Sequence, residues 1–177
     1  MSDPLPPGAL PRRPATREQA AALASAVRLR ILRMTFYQPL TNREIAHRLG
    51  RDPATTLHHV RKLVASGLLD PLPVRRGTRG AREIPYRATG LSWALDPADD
   101  DEAALAEAML EAFLGEVVEA GVENLNQSRL ALRLDAAQIE EFRERLAALL
   151  NEFAARPVDP VAPAVAVYVA MHPSPEL

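Results

Sequence analysis

Thr41 to Gly67 reads TNREIAHRLGRDPATTLHHVRKLVASG. Its local chemistry predicts two helices joined by a tight turn. The Thr41 hydroxyl is placed to accept an orphan backbone N–H, and Glu44, three residues on, completes a capping box. Ile45, Ala46 and Leu49 give the first helix an apolar face, and Gly50 suits the left-handed residue that ends it. Asp52 is set to cap the next helix, and Pro53 fits its first position, where no N–H is needed. Gly67 closes this second helix, 53–66. Two capped helices so close together form a helix-turn-helix pattern.

The second helix has two faces. At about 100° per residue, Val60, Leu63 and Val64 cluster, with Leu57 and Thr56 at the edges. Thr55, His58 and Lys62 point the opposite way, flanked by His59 and Arg61. A plain solvated face would carry the same residue types, but these side chains also suit phosphates and base edges in a major groove.

The residues that follow, 68–88, favour the nucleic-acid reading. Leu68 to Val74 and Glu83 to Ala88 read as short strands, and the tip between them is RRGTRGAR, with Gly77 and Gly80 supplying turn freedom. Arg75, Arg76, Arg79 and Arg82 crowd this wing, 75–82, with only Glu83 nearby. Their mutual repulsion is relieved by a polyanion, and the arginine fork suits phosphate. The expected DNA-facing set is Thr41, Arg43, Thr55, Thr56, His58, His59, Arg61, Lys62 and the four wing arginines. Protonation of the adjacent His58 and His59 is expected to strengthen binding at lower pH.

Charge along the chain is divided. Residues 1–95 hold 16 Lys and Arg against 6 Asp and Glu, or +10, and residues 96–177 hold 5 against 17, or −12, which gives the net −2. The basic half is expected to meet nucleic acid, and the acidic half to face away from it.

ALASAVRLRILRM followed by LTNREIAHRLGRDPATTLHHVRKLVASGLL resembles the winged-helix domain of ArsR-type bacterial transcriptional regulators over roughly residues 17–95. The run TTLHHVRKL with the following GLL is the most specific part. The resemblance implies a major-groove helix using Thr55, His58, His59, Arg61 and Lys62, and a homodimer that represses promoters. Leu57 departs from the family's pattern, in which a small polar residue often lies near the bases. Metal sensing, common in that group, is disfavoured here. There is no cysteine, and the four histidines are His47, His58, His59 and His172, with no pair at i, i+4. No metal and no cofactor is expected.

The flanks complete the expected organisation. Residues 1–16, with five prolines, read as a disordered arm in which Arg12 and Arg13 are the only basic residues. Thr16 and Ser25 look like helix caps, and Val27, Ile31, Leu32 and Met34 should supply core. Ala98 to Gln127, within a segment 96–127, reads as one long helix for linking and dimerisation. Its start, Asp99, Asp100, Asp101 and Glu102, suits the helix dipole. In the unit 128–177, expected to share the dimer contact with the long helix, Arg129–Leu134 and AVAVYVAM alternate as strands do, around a helix capped by Asp135. A small-molecule effector is left open as a partner, with Tyr168 or the residues around His172 lining its site.

The expected fold class is mainly α (α+β): a winged helix-turn-helix domain at 17–95, then the long helix and a small strand-helix-strand unit. Neither a phosphate loop nor a nucleophile elbow is present, so no enzyme is expected. No apolar run has membrane-spanning length, and no signal-peptide core opens the chain, so the expected location is cytoplasmic. The expected function is a homodimeric, sequence-specific DNA-binding transcriptional regulator, a repressor by resemblance. The alternative is a winged-helix protein-interaction module with only nonspecific DNA affinity.

Overall fold

The computed structural model describes residues 11–77, 80–96, 102–157, 159 and 161–173. Three helices lead the fold: α1 (Arg17–Leu23), α2 (Ala26–Phe36) and α3 (Asn42–Leu49). Thr16 begins α1 with a capping box closed by Gln19. Helix α4 (Pro53–Ala65) follows after a short turn. Gly50 makes that turn possible. Its φ of 61° is left-handed, and its N–H returns to the carbonyls of Ala46 and His47.

The strands are short. β1 (Arg13–Pro14) runs parallel to β7 (Leu95–Asp96). β2 (Leu40–Thr41) and β3 (Leu69–Pro71) flank β6 (Pro85–Ala88), both antiparallel to it. β4 (Arg75–Arg76) and β5 (Arg82–Glu83) form the wing's own antiparallel ribbon. The wing is thus two short ladders instead of two continuous strands, and β2, the residues just before α3, ties the helix-turn-helix to the sheet.

One core holds this together. Ile31, Leu40, Ile45, Val60, Leu63, Leu68 and Leu69 are each at most 1% exposed. Leu105 of α5 (Glu102–Ala120) packs against the same cluster. Helix α5 lies along α2, where Arg30 pairs with Glu119 and Arg33 with Glu116. The architecture is an α+β winged helix-turn-helix with two further helices, α5 and α6 (Ala136–Ala154).

The structure corrects several expectations. The end of the expected N-terminal arm is ordered: Arg13 and Pro14 pair with Leu95 and Asp96, and Arg12 reaches Asp96 at 2.7 Å. The long helix stops at Ala120, because Gly121 takes φ 85°, and only a 3-10 turn at Val122–Asn124 follows. Its expected start, Ala98 to Asp101, lies outside the described residues. In the C-terminal unit the helix is present as α6, capped by Asp135 with Gln138. The flanking segments Arg129–Leu134 and Ala164–Met171 join no ladder among the described residues. Both are strand-like in sequence, and a strand without a neighbour leaves its backbone groups without ladder partners.

Arg28 is a charged residue on a core helix, and it is only 8% exposed. Its Nε donates to the Ala22 carbonyl at 2.5 Å and its Nη2 to the Ala21 carbonyl at 2.8 Å, closing the end of α1. Arg28→Ala should therefore cost about 2–3 kcal/mol, because it strands two carbonyls and opens a hole. Urea unfolding of both proteins checks this, and an unchanged midpoint would show that the contact contributes nothing.

Candidate nucleic-acid interface

Helix α4 is held by its ends and by its inner face. Asp52 accepts from the N–H groups of Ala54 at 2.9 Å and Thr55 at 3.0 Å. Asn42 of α3 donates to the Pro53 carbonyl at 2.8 Å, which fixes the start of α4 against the preceding helix. Thr56, Val60 and Leu63 are fully buried. With that side turned inward, Thr55, His58, Arg61 and Lys62 are exposed along the opposite side. Arg43 of α3 and Arg51 of the turn are exposed as well.

Two members of the expected DNA-facing set are turned inward. Thr56 is fully buried, and its hydroxyl donates to the Asp52 carbonyl at 2.9 Å. Thr41 is 4% exposed and serves the capping box, accepting from the Glu44 N–H at 3.2 Å and donating to the Glu44 carboxylate at 2.9 Å. Both are short hydroxyl residues at helix starts, where the backbone is the nearest hydrogen-bonding partner. Leu57 is half-buried beside the outer face.

The wing is tethered and charged. Arg75 lies 2.8 Å from the Glu44 carboxylate and 3.5 Å from that of Glu83. It ties the wing to α3, a role that a reading of neighbours in sequence could not find. Burial alone would raise the Glu44 pKa. The hydrogen bonds from Thr41 and the charge of Arg75 outweigh it, so Glu44 sits below the usual carboxylate range. Beyond this tether, Arg76 and Arg82 are directly opposed across β4 and β5, both exposed. Like charges placed opposite each other weaken a ribbon unless something neutralises them. Arg79 lies outside the described residues.

His59 differs from its neighbour. His58 is exposed, but His59 is half-buried, its Nδ1 is shut off from solvent and unpartnered, and the two rings stand 6.0 Å apart. Burial pushes the His59 imidazole below its ordinary value, and the cations of Arg28, His58, Arg51 and Lys62 push in the same direction. A proton on His59 is therefore disfavoured, which corrects the expectation that both histidines add positive charge in mild acid.

At the far end of the chain, Tyr168 is used in packing: its ring stacks on Phe113 with centroids 4.8 Å apart. His172 is exposed, with Nδ1 2.8 Å from the Pro173 carbonyl oxygen. A cleft of about 330 Å³ lies elsewhere, between α2 and α5, with Arg51 of the turn on its rim. Among the described residues there is no group of three or more His, Asp or Glu that could hold a metal, and no helix long and apolar enough to cross a membrane.

Residues 23–71 match the family model described as a helix-turn-helix domain. The match runs from the end of α1 through β3 and includes the caps of α3 and α4. A comparison with curated proteins gives no match. Among solved structures, a point mutant of Lactococcus lactis ZitR is 23% identical, covering 78% of this chain and 75% of that one at a TM-score of 0.31. The adhesin competence repressor AdcR of Streptococcus pyogenes is 16% identical over 79% and 81%, with a TM-score of 0.28. A DNA complex of MepR from S. aureus is 17% identical over 78% and 81%, with a TM-score of 0.29.

The state of His59 has a measurable consequence. Its folded pKa lies below its unfolded value of about 6.5, so its contribution to stability is present above the unfolded value and is lost as the pH falls from there through the lower folded one. Thermal unfolding at pH 7.5 and pH 5 should show a larger drop in Tm for the parent protein than for His59→Gln. Equal drops would remove His59 from the acid response.

Proposed function

We propose that this chain is a sequence-specific, double-stranded-DNA-binding transcriptional regulator acting as a homodimer. Helix α4 enters the major groove, and the wing lies on the backbone and adjacent minor groove. One observation carries the reading: Arg76 and Arg82 oppose each other at a wing tethered to α3, on a chain whose α4 exposes Thr55, His58, Arg61 and Lys62. The repulsion in that ribbon is relieved by phosphate, and the outer face of α4 supplies donors for base edges. In this arrangement Thr55, His58 and Arg61 address bases, Lys62, Arg43, Arg76, Arg79 and Arg82 address phosphates, and Arg75 holds the wing in position. His59 supports α4 from behind instead of contacting bases.

The run TTLHHVRKL and its resemblance to ArsR-type regulators support a repressor on paired half-sites. A homodimer would set two α4 helices in successive major grooves about 34 Å apart. The acidic second half keeps that arrangement oriented, since a region of net charge −12 is repelled from the duplex.

Fluorescence anisotropy on duplexes of varied sequence and salt tests this reading. Lys62→Ala and Arg76→Ala should each weaken binding about equally across sequences and lower the salt slope by about 1. His58→Ala should change the ranking of sequences instead, by about 1–3 kcal/mol at one position. Parent protein that binds every duplex alike, with no effect of His58→Ala, would instead favour the protein-interaction reading.

A further inference from the structure

We infer that the C-terminal segment Ala164–Met171 pairs antiparallel, as a β-strand, with the same segment of a second copy, and that this ribbon together with the outer row of α5 forms the dimer interface. The inference rests on the homodimer reading and specifies where the two copies meet.

Among the described residues this segment has no strand partner. AVAVYVAM alternates small or aromatic with branched apolar residues, the pattern of a strand with two distinct faces. No ladder forms along it among the described residues. One face is anchored, because Tyr168 stacks on Phe113 of α5. The other is bare: Val165 is 84% exposed, Val167 60% and Val169 47%. A second bare row lies on the same helix. Leu110, Leu114 and Val118 recur every four residues and are 46%, 53% and 82% exposed.

The area is of the right size. With Val122 and Met171, these side chains expose on the order of 800 Å², about what each partner contributes to a standard interface. The chemistry selects a second copy as the occupant. A two-fold axis brings identical segments together antiparallel, so each strand meets a partner with the same unmet hydrogen bonds and the same valine face. Charge does not oppose the strand pairing, since the sequence from 161 to 171 contains no Asp, Glu, Lys or Arg. A long exposed apolar strand left alone would be an aggregation hazard, which self-pairing reduces by covering one edge of each strand.

The test uses full-length protein. Light scattering coupled to gel filtration at tens of micromolar should give a dimer mass. Val167→Asp combined with Val169→Asp should raise the dimer dissociation constant at least tenfold while leaving the far-ultraviolet circular-dichroism spectrum of the folded protein unchanged, since both side chains are exposed in the single chain. Hydrogen exchange should show alternate amides within 165–170 protected in the dimer and unprotected on dilution to monomer. Dimer mass retained by the double variant, with amides 165–170 exchanging freely, overturns the strand pairing and leaves the homodimer reading intact. A parent protein that is monomeric at these concentrations overturns both. Because the chain has no cysteine, single Val165→Cys, Val167→Cys and Val169→Cys variants provide an independent check. Under mild oxidation at least one should form a disulfide-linked dimer, while Thr55→Cys on α4 should not. Crosslinking at Thr55→Cys alone contradicts the placement.

Discussion

The rotation of α4 about its own axis is the constraint on which the rest of the structure depends. Thr56, Val60 and Leu63 have no exposure at all, and interiors packed this closely do not allow a helix to turn by even one residue without opening a cavity. With that face locked, the opposite face is determined: Thr55, His58 and Lys62 point outward because 3.6 residues make a turn. A site built on a helix locked into the core is held more precisely than one built on a loop.

The second constraint is electrostatic, and it is resolved differently at two neighbouring positions. Arg75 is neutralised within the chain by Glu44 and Glu83, and in return it locates the wing relative to α3. Exposed ion pairs of this kind contribute little stability, so its main effect is on position. One residue further on, Arg76 faces Arg82 across the ribbon. The chain thus satisfies the charge that builds the wing and leaves standing the charge at its tip. The buried Arg28 shows the opposite use of arginine, its guanidinium serving as a helix cap on backbone carbonyls.

The range of each interaction decides whether the sequence reveals it. The starts of α3, α4 and α6 are legible because a cap and its partner lie within three residues of each other. Gly50 and Pro53 are legible for the same reason. Thr41 and Thr56 resemble DNA contacts in sequence because a hydroxyl at the edge of a helical wheel suits a phosphate and a backbone carbonyl equally well. The Arg75–Glu44 tie spans 31 residues and leaves no local trace. The apolar pattern of α5 continues past Gly121 and so suggests a longer helix, although the backbone there turns left-handed. Arg129–Leu134 and Ala164–Met171 have strand chemistry, but ladder pairing is a property of two segments, and one segment's sequence does not name the other.

The most direct measurement is recovery of genomic fragments by purified protein at near-physiological salt, in excess competitor DNA, followed by sequencing. The account predicts a pseudo-palindromic motif with half-sites about one helical turn apart, upstream of a small number of genes. Diffuse, salt-sensitive recovery with no shared motif would contradict it, since a locked recognition face that reads bases must rank sequences.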